Sequence, residues 1–546
     1  MPEDLDRGSS SAKPAWAIHL PEGMSPDEVE LPGDINLTSR WIRWWRNAPE
    51  RPVVRDENHE WLTGLEVDVR SSDAAARLKE AGLRSGDRLM VVARSSVPSV
   101  LVYVAALRLG LVIVPVNPDS APDEVARVIE DSDPAAFVVD REAPESRRLD
   151  QAISAVSSGS TGSSRRNFPS RPSRGAVLDL VRELTSDVRF SAREGENPLD
   201  KASAHDPALL LYTSGTTGIR KGAVLTHGNL LSSARALEIA WRWAADDRLV
   251  LALPLFHLHG LGVGLFGSFC AGASVVLRRS FDPEDVLDTI DAEQASLFFA
   301  VPTMLLRLAG HPRVDELRFL RLCVSGSAPL APEVHRTMLE RAGLSVLERY
   351  GMTETVMNVS NPYDGERRPG TVGFPLPGVQ VRLDRGSGEI LVRGPNVFGG
   401  YLNEPRANAE AFEDGWFRTG DIGEFDDDGY LKIVGRCKEL IISGGQNVYP
   451  KEVEDVLRHH PAVSDAAVVG LPDDEWGERV VAFVELESDA PTTEPRTTLS
   501  TEELMAFARS RLAPYKRPKE IHLLPSLPRN ELGKVVRSLL TAATGG

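Results

Sequence analysis

Residues 212–222 read YTSGTTGIRKG, and this stretch decides the fold because it follows the apolar run ALLL (208–211). Its glycines let the backbone approach an oxyanion and turn N–H groups toward it. A lysine at its end offsets phosphate charge, and hydroxyl groups add further donors. The hydroxyls belong to Thr213, Ser214, Thr216 and Thr217, and the lysine is Lys221. Because Thr226 can cap a helix, the pattern predicts a strand, a polyphosphate-binding loop and a helix.

A second glycine- and serine-rich string, SSGSTGSSRR (157–166), has no strand pattern before it and no helix pattern after it. It lies within 154–174, a segment rich in Ser, Arg and Pro that predicts a linker or disordered insertion. The string at 212–222 is also distinct from a Walker A loop, because Gly222 follows Lys221 where that motif has Ser or Thr. The loop at 212–222 is therefore the candidate for chemistry.

Strand and helix patterns alternate before the loop. DRLMVVA (87–93) precedes SVPSVLVYVAALRLG (96–110), and LVIVPVNP (111–118) precedes APDEVARVIEDS (121–132). Spacing of this kind predicts an α/β fold with parallel sheets covered by helices. A length of 546 residues predicts roughly three to four domain-sized units.

Composition narrows the classes of function. The chain has 42% hydrophobic and 26% charged residues, which is typical of a globular protein. A net charge of −17 disfavours nucleic acid or an anionic membrane as the main partner. Three cysteines without CxxC spacing indicate neither a disulfide framework nor a zinc site. The acidic N-terminus lacks a secretory signal pattern, so a cytoplasmic location is expected.

Residues 249–277 carry no Asp, Glu, Lys or Arg and are long enough to span a bilayer. The segment also contains Pro254, His257, His259 and five glycines. These residues suit a buried strand, a loop and a packed helix better than a lipid-facing helix. We therefore expect this segment to form core, and we expect no membrane span.

YTSGTTGIRKG resembles the signature loop of the adenylate-forming enzymes, which include acyl-CoA synthetases, firefly luciferase and the adenylation domains of peptide synthetases. Arg220 stands where the family usually has proline. From about residue 80 to the C-terminus, further matches occur in the family's order: PLFHLHGLG (254–262), VPTMLLRL (301–308), SGSAPL (325–330), ERYGMTET (348–355), GWFRTGD (415–421), GYLKIVGRCKELIISGGQNVYPKEVE (429–454) and LPRNELGKV (527–535). Eight motifs in order make coincidence negligible.

The resemblance implies a large N-terminal domain over 1–437, with mostly parallel, helix-covered sheets and a β-rich subdomain. A small, mobile α+β domain over 438–546 would rotate about a hinge at Lys438. The implied reaction has two steps: a carboxylate attacks the α-phosphate of ATP to give an acyl-adenylate and pyrophosphate, and a thiol then displaces AMP. The implied reactants are ATP, Mg²⁺ and coenzyme A.

The resemblance also assigns roles to residues. Lys534 would bridge the carboxylate and the α-phosphate, Glu354 would bind magnesium together with Thr213, and Thr353 would contact the α-phosphate. Tyr350 would stack on adenine, while Asp421 and Arg436 would hold the ribose. The complete implied ATP site comprises Thr213, Ser214, Gly215, Thr216, Thr217, Gly218, Lys221, Gly326, Ser327, Ala328, Arg349, Tyr350, Gly351, Met352, Thr353, Asp421, Arg436 and Lys534. The implied hinge and coenzyme A residues are Lys438, Gly444 and Gly445.

The acid is less constrained. Within the family, the motif sequences are most similar to those of malonyl-CoA synthetases. This resemblance implies malonate or methylmalonate as substrate, and it implies His257, Met304 and Arg307 as acyl-site residues. Cys270, Ala271 and Gly272 stand where such enzymes tend to carry an arginine. A medium-chain or aryl monocarboxylate, or the loading of a separate carrier protein, therefore remains as an alternative. A non-enzymatic relative is disfavoured because Lys534, Glu354 and Asp421 are all present.

Overall fold

A computed structural model describes residues 13–31, 33, 35–158, 176–185, 199–213, 221–444, 446–473, 476–486, 500–530 and 533–544. The chain divides into two compact units. The first unit is Met1–Val381 with Val392–Phe417, and the second unit is Arg382–Leu391 with Arg418–Gly546. The domain boundary after residue 437 and the hinge at Lys438 stay predictions.

The described strands are short and most are four to six residues long. They are β1 (Pro52–Asp56), β2 (His59–Thr63), β3 (Arg88–Val92), β4 (Val112–Val116), β5 (Ala136–Val139), β6 (Ala176–Asp179), β7 (Pro207–Thr213), β8 (Lys221–Thr226), β9 (Arg248–Leu251), β10 (Ser274–Leu277), β11 (Leu297–Ala300), β12 (Leu322–Ser325), β13 (Leu347–Tyr350), β14 (Val359–Ser360), β15 (Phe374–Pro375), β16 (Gln380–Leu383), β17 (Glu389–Arg393), β18 (Phe412–Glu413), β19 (Trp416–Phe425), β20 (Leu431–Arg436), β21 (Ile441–Ser443), β22 (Gln446–Val448), β23 (Val463–Asp473), β24 (Gly477–Leu486) and β25 (Glu520–Leu524).

The described α-helices alternate with many of these strands. They are α1 (Leu37–Asn47), α2 (Gly64–Glu80), α3 (Val97–Arg108), α4 (Pro122–Ser132), α5 (Glu145–Ser158), α6 (His227–Ala240), α7 (Phe266–Ala271), α8 (Pro283–Ala292), α9 (Pro302–Ala309), α10 (Pro332–Ala342), α11 (Pro405–Ala411), α12 (Pro450–Arg458), α13 (Thr501–Arg509) and α14 (Arg537–Thr544). Helix α5 continues into the predicted linker as far as Ser158, and residues 159–174 lie outside the described residues.

Two mainly parallel sheets build the first unit. One has the strand order β6-β5-β3-β4-β7-β8, and the other has the order β15-β14-β13-β12-β11-β9-β10-β1-β2. Pairing is parallel through the middle of both sheets and antiparallel at β7–β8, β1–β2 and β13–β14–β15. Each sheet packs its apolar side chains into its own buried core. The predicted α/β architecture is confirmed.

A strand follows residues 214–220, which lie outside the described residues, and this corrects the predicted order of strand, loop and helix. Residues 221–226 form β8, which pairs antiparallel with β7 from Tyr212↔Gly222 to Pro207↔Thr226. Helix α6 begins only afterwards, at His227, with the Thr226 side chain accepting the backbone N–H of Asn229. The buried residues Ala223 and Leu225 make KGAVLT a strand, because alternate side chains enter the core.

The uncharged segment 249–277 is core, as predicted. It contains β9, a π-helical turn at His259–Leu265, α7 and β10, and nearly all of its residues are buried. Within the described residues, no helix combines the length and the apolar character needed to cross a membrane. The absence of charge therefore reflects burial within the first unit.

Two five-stranded sheets account for the strands from β16 onward. One is ordered β16-β17-β19-β18 with β20 on β19, and it supplies the predicted β-rich part. The other is ordered β22-β21-β24-β23 with β25 on β24, and α12 and α13 pack against it through an apolar core. The α+β pattern predicted for the C-terminal region is confirmed.

Candidate active site

The GMTET segment (351–355) leaves β13 in a tight turn at the carboxyl end of a parallel strand. A Cβ at Gly351 would lie 2.2 Å from the Val356 carbonyl oxygen, so only glycine fits there. Val356 adopts a positive φ of 54°, and the Thr355 N–H donates to the Met352 carbonyl at 3.1 Å. The turn exposes part of Met352 and Thr353 and buries Glu354, which is 6% exposed.

Glu354 is held by a residue that the sequence motifs did not indicate. The Tyr401 hydroxyl donates to Glu354 Oε1 at 2.9 Å, and the Phe398 N–H donates to the Glu354 carbonyl at 2.8 Å. Burial and the nearby carboxylate charge raise the pKa of Tyr401 far above its usual value, so the phenol stays a donor. A tyrosine after two glycines in GGY (399–401) is a weak signal, and only the tertiary contact identifies it.

Lys221 and Thr213 flank the predicted phosphate loop on paired strands. They are directly opposite each other in the β7–β8 ladder, and Thr213 Oγ1 donates to the Lys221 carbonyl at 3.5 Å. The Lys221 ammonium lies 5.2 Å from the centre of the Tyr401 ring. The structure therefore brings Thr213, Lys221, Tyr401 and Glu354 into one group, the Glu354 cluster. Ser214, Gly215, Thr216, Thr217 and Gly218 lie outside the described residues.

The Glu354 cluster fits a magnesium ion that arrives with a nucleotide. Among the described residues there is no group of three His, Cys, Asp or Glu side chains that could hold a metal alone. Mg²⁺ is usually held by one or two carboxylates together with substrate phosphates and water. A single anchored carboxylate beside a lysine and a phosphate-loop strand matches that mode.

Arg349 is the residue before Tyr350 in β13, and its side chain lies beside the SGSAPL segment. A Cβ at Gly326 would stand 2.2 Å from the Arg349 Cζ, so the guanidinium lies directly against this glycine. Arg349 is 7% exposed, and its Nε and Nη2 have no hydrogen-bond partner among the described residues. Burial lowers the pKa of Arg349 below its usual range. Two desolvated guanidinium nitrogens without a hydrogen-bond partner are costly, which points to an anion in the working state.

Two histidines of PLFHLHGLG lie in the same part of the first unit. His259 Nδ1 is 3.3 Å from Ser327 Oγ, and its Nε2 has no hydrogen-bond partner among the described residues. Burial first and the Arg349 charge second lower the pKa of His259 well below its usual value, so the ring is neutral. The His257 ring packs 4.6 Å from the Phe256 ring. The sequence motifs indicated His257 and missed His259.

The other two predicted acyl-site residues lie on α9. Met304 is half-buried and packs against the apolar core of the nine-stranded sheet. Arg307 is exposed in the last turn, with its guanidinium 5.0 Å from the centre of the Phe281 ring. Ser327 has a positive φ of 72°, and it and Ala328 are less buried than Gly326.

In the second unit, the predicted ribose residues form an ion pair. Asp421 and Arg436 are directly opposite each other on β19 and β20, and Arg436 Nε lies 2.9 Å from Asp421 Oδ1. Asp421 is buried, while Arg436 is half-buried. The pair presents a carboxylate whose orientation is fixed by the strand register.

Lys534 is an exposed residue of the second unit, held at the end of a short loop. Its N–H donates to Asn530 Oδ1 at 2.9 Å, and its carbonyl accepts the Asn530 N–H at 2.8 Å. Desolvation of the ammonium by surrounding protein, followed by repulsion from Arg436, lowers the pKa of Lys534. Glu439 and Asp421 oppose that shift. The second unit therefore gathers Lys534, Arg436 and Asp421 within electrostatic reach of one another.

The predicted hinge and coenzyme A residues are also in the second unit. Lys438 is exposed in a 3-10 turn at Cys437–Glu439. Gly444 has a positive φ of 59°, and its N–H donates to the Trp476 carbonyl at 2.8 Å. Gly445 lies outside the described residues. The roles of these residues stay predictions.

Two family models match the chain. The model described as AMP-binding enzyme matches residues 41–402, and the model described as AMP-binding enzyme C-terminal domain matches residues 452–534. Together they span most of both units.

Curated relatives are similar to the chain in sequence, and a solved structure is similar to it in fold. Feruloyl-CoA synthase from an Amycolatopsis species is 34% identical over 510 residues, which cover 91% of this chain and 96% of the relative. Malonate–CoA ligase from Arabidopsis thaliana is 40% identical over 361 residues, or 60% of this chain and 59% of the relative. The crystal structure of ATP-bound MatB from Rhodopseudomonas palustris matches with a TM-score of 0.83 at 36% identity, covering 94% of this chain and 99% of MatB.

Proposed function

Because the chain belongs to the AMP-binding enzyme family, we propose that it is the acid–CoA ligase of a short dicarboxylic acid, malonate or methylmalonate. The family match confirms the resemblance that the motifs predicted, and the chain is an AMP-forming acid–CoA ligase. ATP and coenzyme A are the co-substrates of this class, and Mg²⁺ is its cofactor. The identity of the acid and the role of each site residue are the content of the proposal.

The two steps place distinct demands on the chain. In the first step a carboxylate oxygen bonds to the α-phosphorus of ATP and pyrophosphate leaves. Two anions must meet there, so a preorganised cation stabilises the transition state. Lys534 supplies this charge, and Lys221 acts on the phosphates. In the second step the coenzyme A thiol gives up its proton to solvent, its sulfur bonds to the acyl carbon, and the bond from that carbon to the AMP oxygen breaks, so that AMP leaves with the electron pair.

The remaining site residues bind and orient. Glu354 holds Mg²⁺, which neutralises phosphate charge when it is bound. Thr353 donates to the α-phosphate, Tyr350 presents its ring to adenine, and Asp421 accepts from the ribose hydroxyls because a carboxylate has two oxygens for a vicinal diol. Arg436 keeps Asp421 in place through its ion pair.

The choice of acid depends on the Arg349 guanidinium, which we assign to the substrate carboxylate in place of the ATP-binding role that the resemblance implied. It is buried beside Gly326, and two of its nitrogens have no hydrogen-bond partner among the described residues. A second substrate carboxylate would satisfy these donors, since a guanidinium fork binds a carboxylate through two parallel bonds. A monocarboxylate would leave them unsatisfied. Arg307 makes a weaker candidate, because it is exposed and already stacks on Phe281.

His259 strengthens the proposal because it offers a neutral polar edge beside the same guanidinium. Its ring is hydrogen-bonded to Ser327, and its pKa is lowered by burial and by Arg349. A neutral ring avoids a second buried cation and can still donate to a carboxylate. Arg349, His259 and Ser327 thus form a polar group suited to a small anion.

An aromatic monocarboxylate is the second candidate acid. The 34% identity to feruloyl-CoA synthase over 91% of this chain supports it. A hydroxycinnamate would place an apolar ring near the acyl site, where the buried charge of Arg349 would be costly. The dicarboxylate is therefore preferred on the chemistry of Arg349.

The test is a panel of acids assayed for pyrophosphate release and for thioester formation. Malonate, methylmalonate, butyrate, a medium-chain fatty acid, benzoate and ferulate are compared, with coenzyme A, with a pantetheine-loaded carrier protein, and without thiol. We expect kcat/KM for malonate to exceed that for butyrate at least tenfold, because butyrate is of similar size and lacks the second carboxylate. Higher kcat/KM for ferulate or butyrate would overturn the dicarboxylate, and turnover only with the carrier would replace coenzyme A as acceptor.

A further inference from the structure

Tyr401 links the predicted magnesium carboxylate to the strand that follows the phosphate loop. We propose that Tyr401 is a positioning residue, which orients Glu354 for Mg²⁺ and keeps Lys221 beside it, so that metal and phosphates are received by one prearranged group. The proposal rests on the role assigned to Glu354 above. It adds a residue that no sequence motif indicated.

Glu354 has a fixed position. Its carboxylate accepts the Tyr401 hydroxyl at 2.9 Å, and its own backbone carbonyl accepts the Phe398 N–H at 2.8 Å. Both contacts come from one segment, 398–402, so side chain and backbone are held by the same piece of chain. A buried carboxylate anchored in this way is held in one rotamer, so its position is set before a cation binds.

Segment 398–402, which holds Glu354, is joined to β8. The Leu402 N–H donates to the Gly222 carbonyl at 2.8 Å, and the Val224 N–H donates to the Gly400 carbonyl at 3.3 Å. Tyr401 and Ala223 form an antiparallel bridge within this pairing. Lys221, two residues before Ala223 in β8, places its ammonium 5.2 Å from the centre of the Tyr401 ring. One tyrosine thus contacts both charged members of the Glu354 cluster.

The position of Tyr401 is itself fixed. The Tyr401 N–H donates to Asn408 Oδ1 at 2.6 Å, and Asn408 Nδ2 donates to the Tyr401 carbonyl at 3.0 Å. Gly400 has a φ of 137°, and a Cβ there would lie 2.9 Å from the Asn408 side chain. The Phe398 ring packs edge-on against the Tyr401 ring at 4.9 Å. These contacts leave the phenol a single orientation.

Tyrosine is the side chain that serves both contacts. Its ring face attracts the Lys221 ammonium, and its hydroxyl donates to Glu354. Phenylalanine keeps the first contact and loses the second. Tyr401→Phe therefore separates metal positioning from the rest of the cluster with the loss of one oxygen atom.

The experiment measures ATP binding to the intact chain by calorimetry, at a series of Mg²⁺ concentrations and in the presence of EDTA. For Tyr401→Phe we expect the Mg²⁺ concentration for half-maximal ATP binding to rise about tenfold or more, which is the usual effect of removing a partner of a metal ligand. ATP binding in EDTA should change less than about twofold, because the Lys221 contact remains. In the adenylation assay, saturating Mg²⁺ should restore most of kcat.

Two variants make the outcome decisive. Tyr363→Phe removes a hydroxyl elsewhere in the first unit, where Tyr363 packs against Arg321 and Arg367, and should leave the Mg²⁺ dependence unchanged. Glu354→Gln removes the carboxylate charge that is proposed to bind Mg²⁺, and it should abolish the Mg²⁺ dependence of ATP binding. If Glu354→Gln loses the Mg²⁺ dependence while Tyr401→Phe keeps the wild-type value, the inference about Tyr401 is wrong and the role of Glu354 stands.

Two further outcomes also count against the proposal. If neither Glu354→Gln nor Tyr401→Phe alters the Mg²⁺ dependence, the metal role of Glu354 fails and Tyr401 loses its function with it. If Tyr401→Phe weakens ATP binding equally with Mg²⁺ and with EDTA, its role is structural. Circular dichroism and thermal melting of each variant establish that the compared proteins are folded.

Discussion

The two units treat their charged site residues in opposite ways. In the first unit, Glu354 and Arg349 are buried and fixed by neighbours such as Tyr401 and Gly326. In the second unit, Lys534 and Lys438 are exposed, and the Lys534 contacts described above involve its backbone. The groups proposed to recognise substrate charge are thus fixed by the packing of the first unit, whereas the lysine proposed to act in catalysis lies on a surface loop.

Removing the exposed lysine should have the largest effect. We expect Lys534→Ala to lower acid-dependent pyrophosphate release by about 10²–10³-fold, because the meeting of two anions loses its stabilising cation. Thioester formation from a pre-made acyl-adenylate should remain. Lys432→Ala, which removes another exposed lysine of the second unit paired with Glu424, is the control and should be silent. Equal loss of both half-reactions would contradict the role of Lys534.

Replacing the buried arginine should affect one substrate class. For Arg349→Met we expect kcat/KM for malonate to fall about 10–100-fold, the effect of removing hydrogen bonds to a charged group. Butyrate should be affected far less, since it has no second carboxylate. Arg349→Lys should recover only part of the malonate activity, because an ammonium lacks the planar fork. A parallel fall for malonate and butyrate would assign Arg349 to folding or to ATP binding instead.

Burial in the first unit should also make the protein sensitive to acid. Burial lowers the pKa of both His19 and His227 from 6.5 to about 4. The unfolded chain binds these protons near pH 6.5 and the folded chain only near pH 4, so stability is full above pH 6.5 and falls as the pH drops between these values. Each histidine lowers the free energy of unfolding by about 2–3 kcal/mol at pH 4.

His227→Leu tests the direction of this pH dependence, because the ring nitrogens of His227 have no hydrogen-bond partner among the described residues. Denaturant unfolding at pH 7 and pH 4.5 should show a smaller loss of unfolding free energy for the variant than for the wild type. An unchanged pH dependence would mean that His227 does not stay neutral in the folded state.

The smallest effect is expected at Arg307. Its guanidinium is exposed, and its contact with Phe281 contributes about 0.5–1 kcal/mol. Arg307→Ala should therefore change kcat/KM for malonate less than about threefold, with butyrate as the comparison. A selective fall in kcat/KM for malonate in this variant would show that Arg307 binds the second carboxylate. The distinction between the buried and the exposed arginine would then fail.

Several elements followed from the sequence because they depend on local pattern. The alternation of apolar runs and helix patterns predicted α3, α4, β3 and β4, and Thr226 was correctly predicted to cap α6. The strand β8 was missed, because KGAVLT becomes a strand only through its pairing with β7. Tyr401 and His259 were missed for a similar reason, since their partners Glu354 and Ser327 lie 47 and 68 residues away in the sequence.

By itself, the sequence determined the family, the two-step chemistry it implies and the residue types available for it, because these are written in short motifs with fixed spacing. The tertiary structure decided which of those residues are desolvated and which are paired. Arg307 and Arg349 are both arginines within motifs, yet one is exposed on an aromatic ring and the other is buried against Gly326. The free energy of a charge depends on its solvent and its neighbours, and folding sets both.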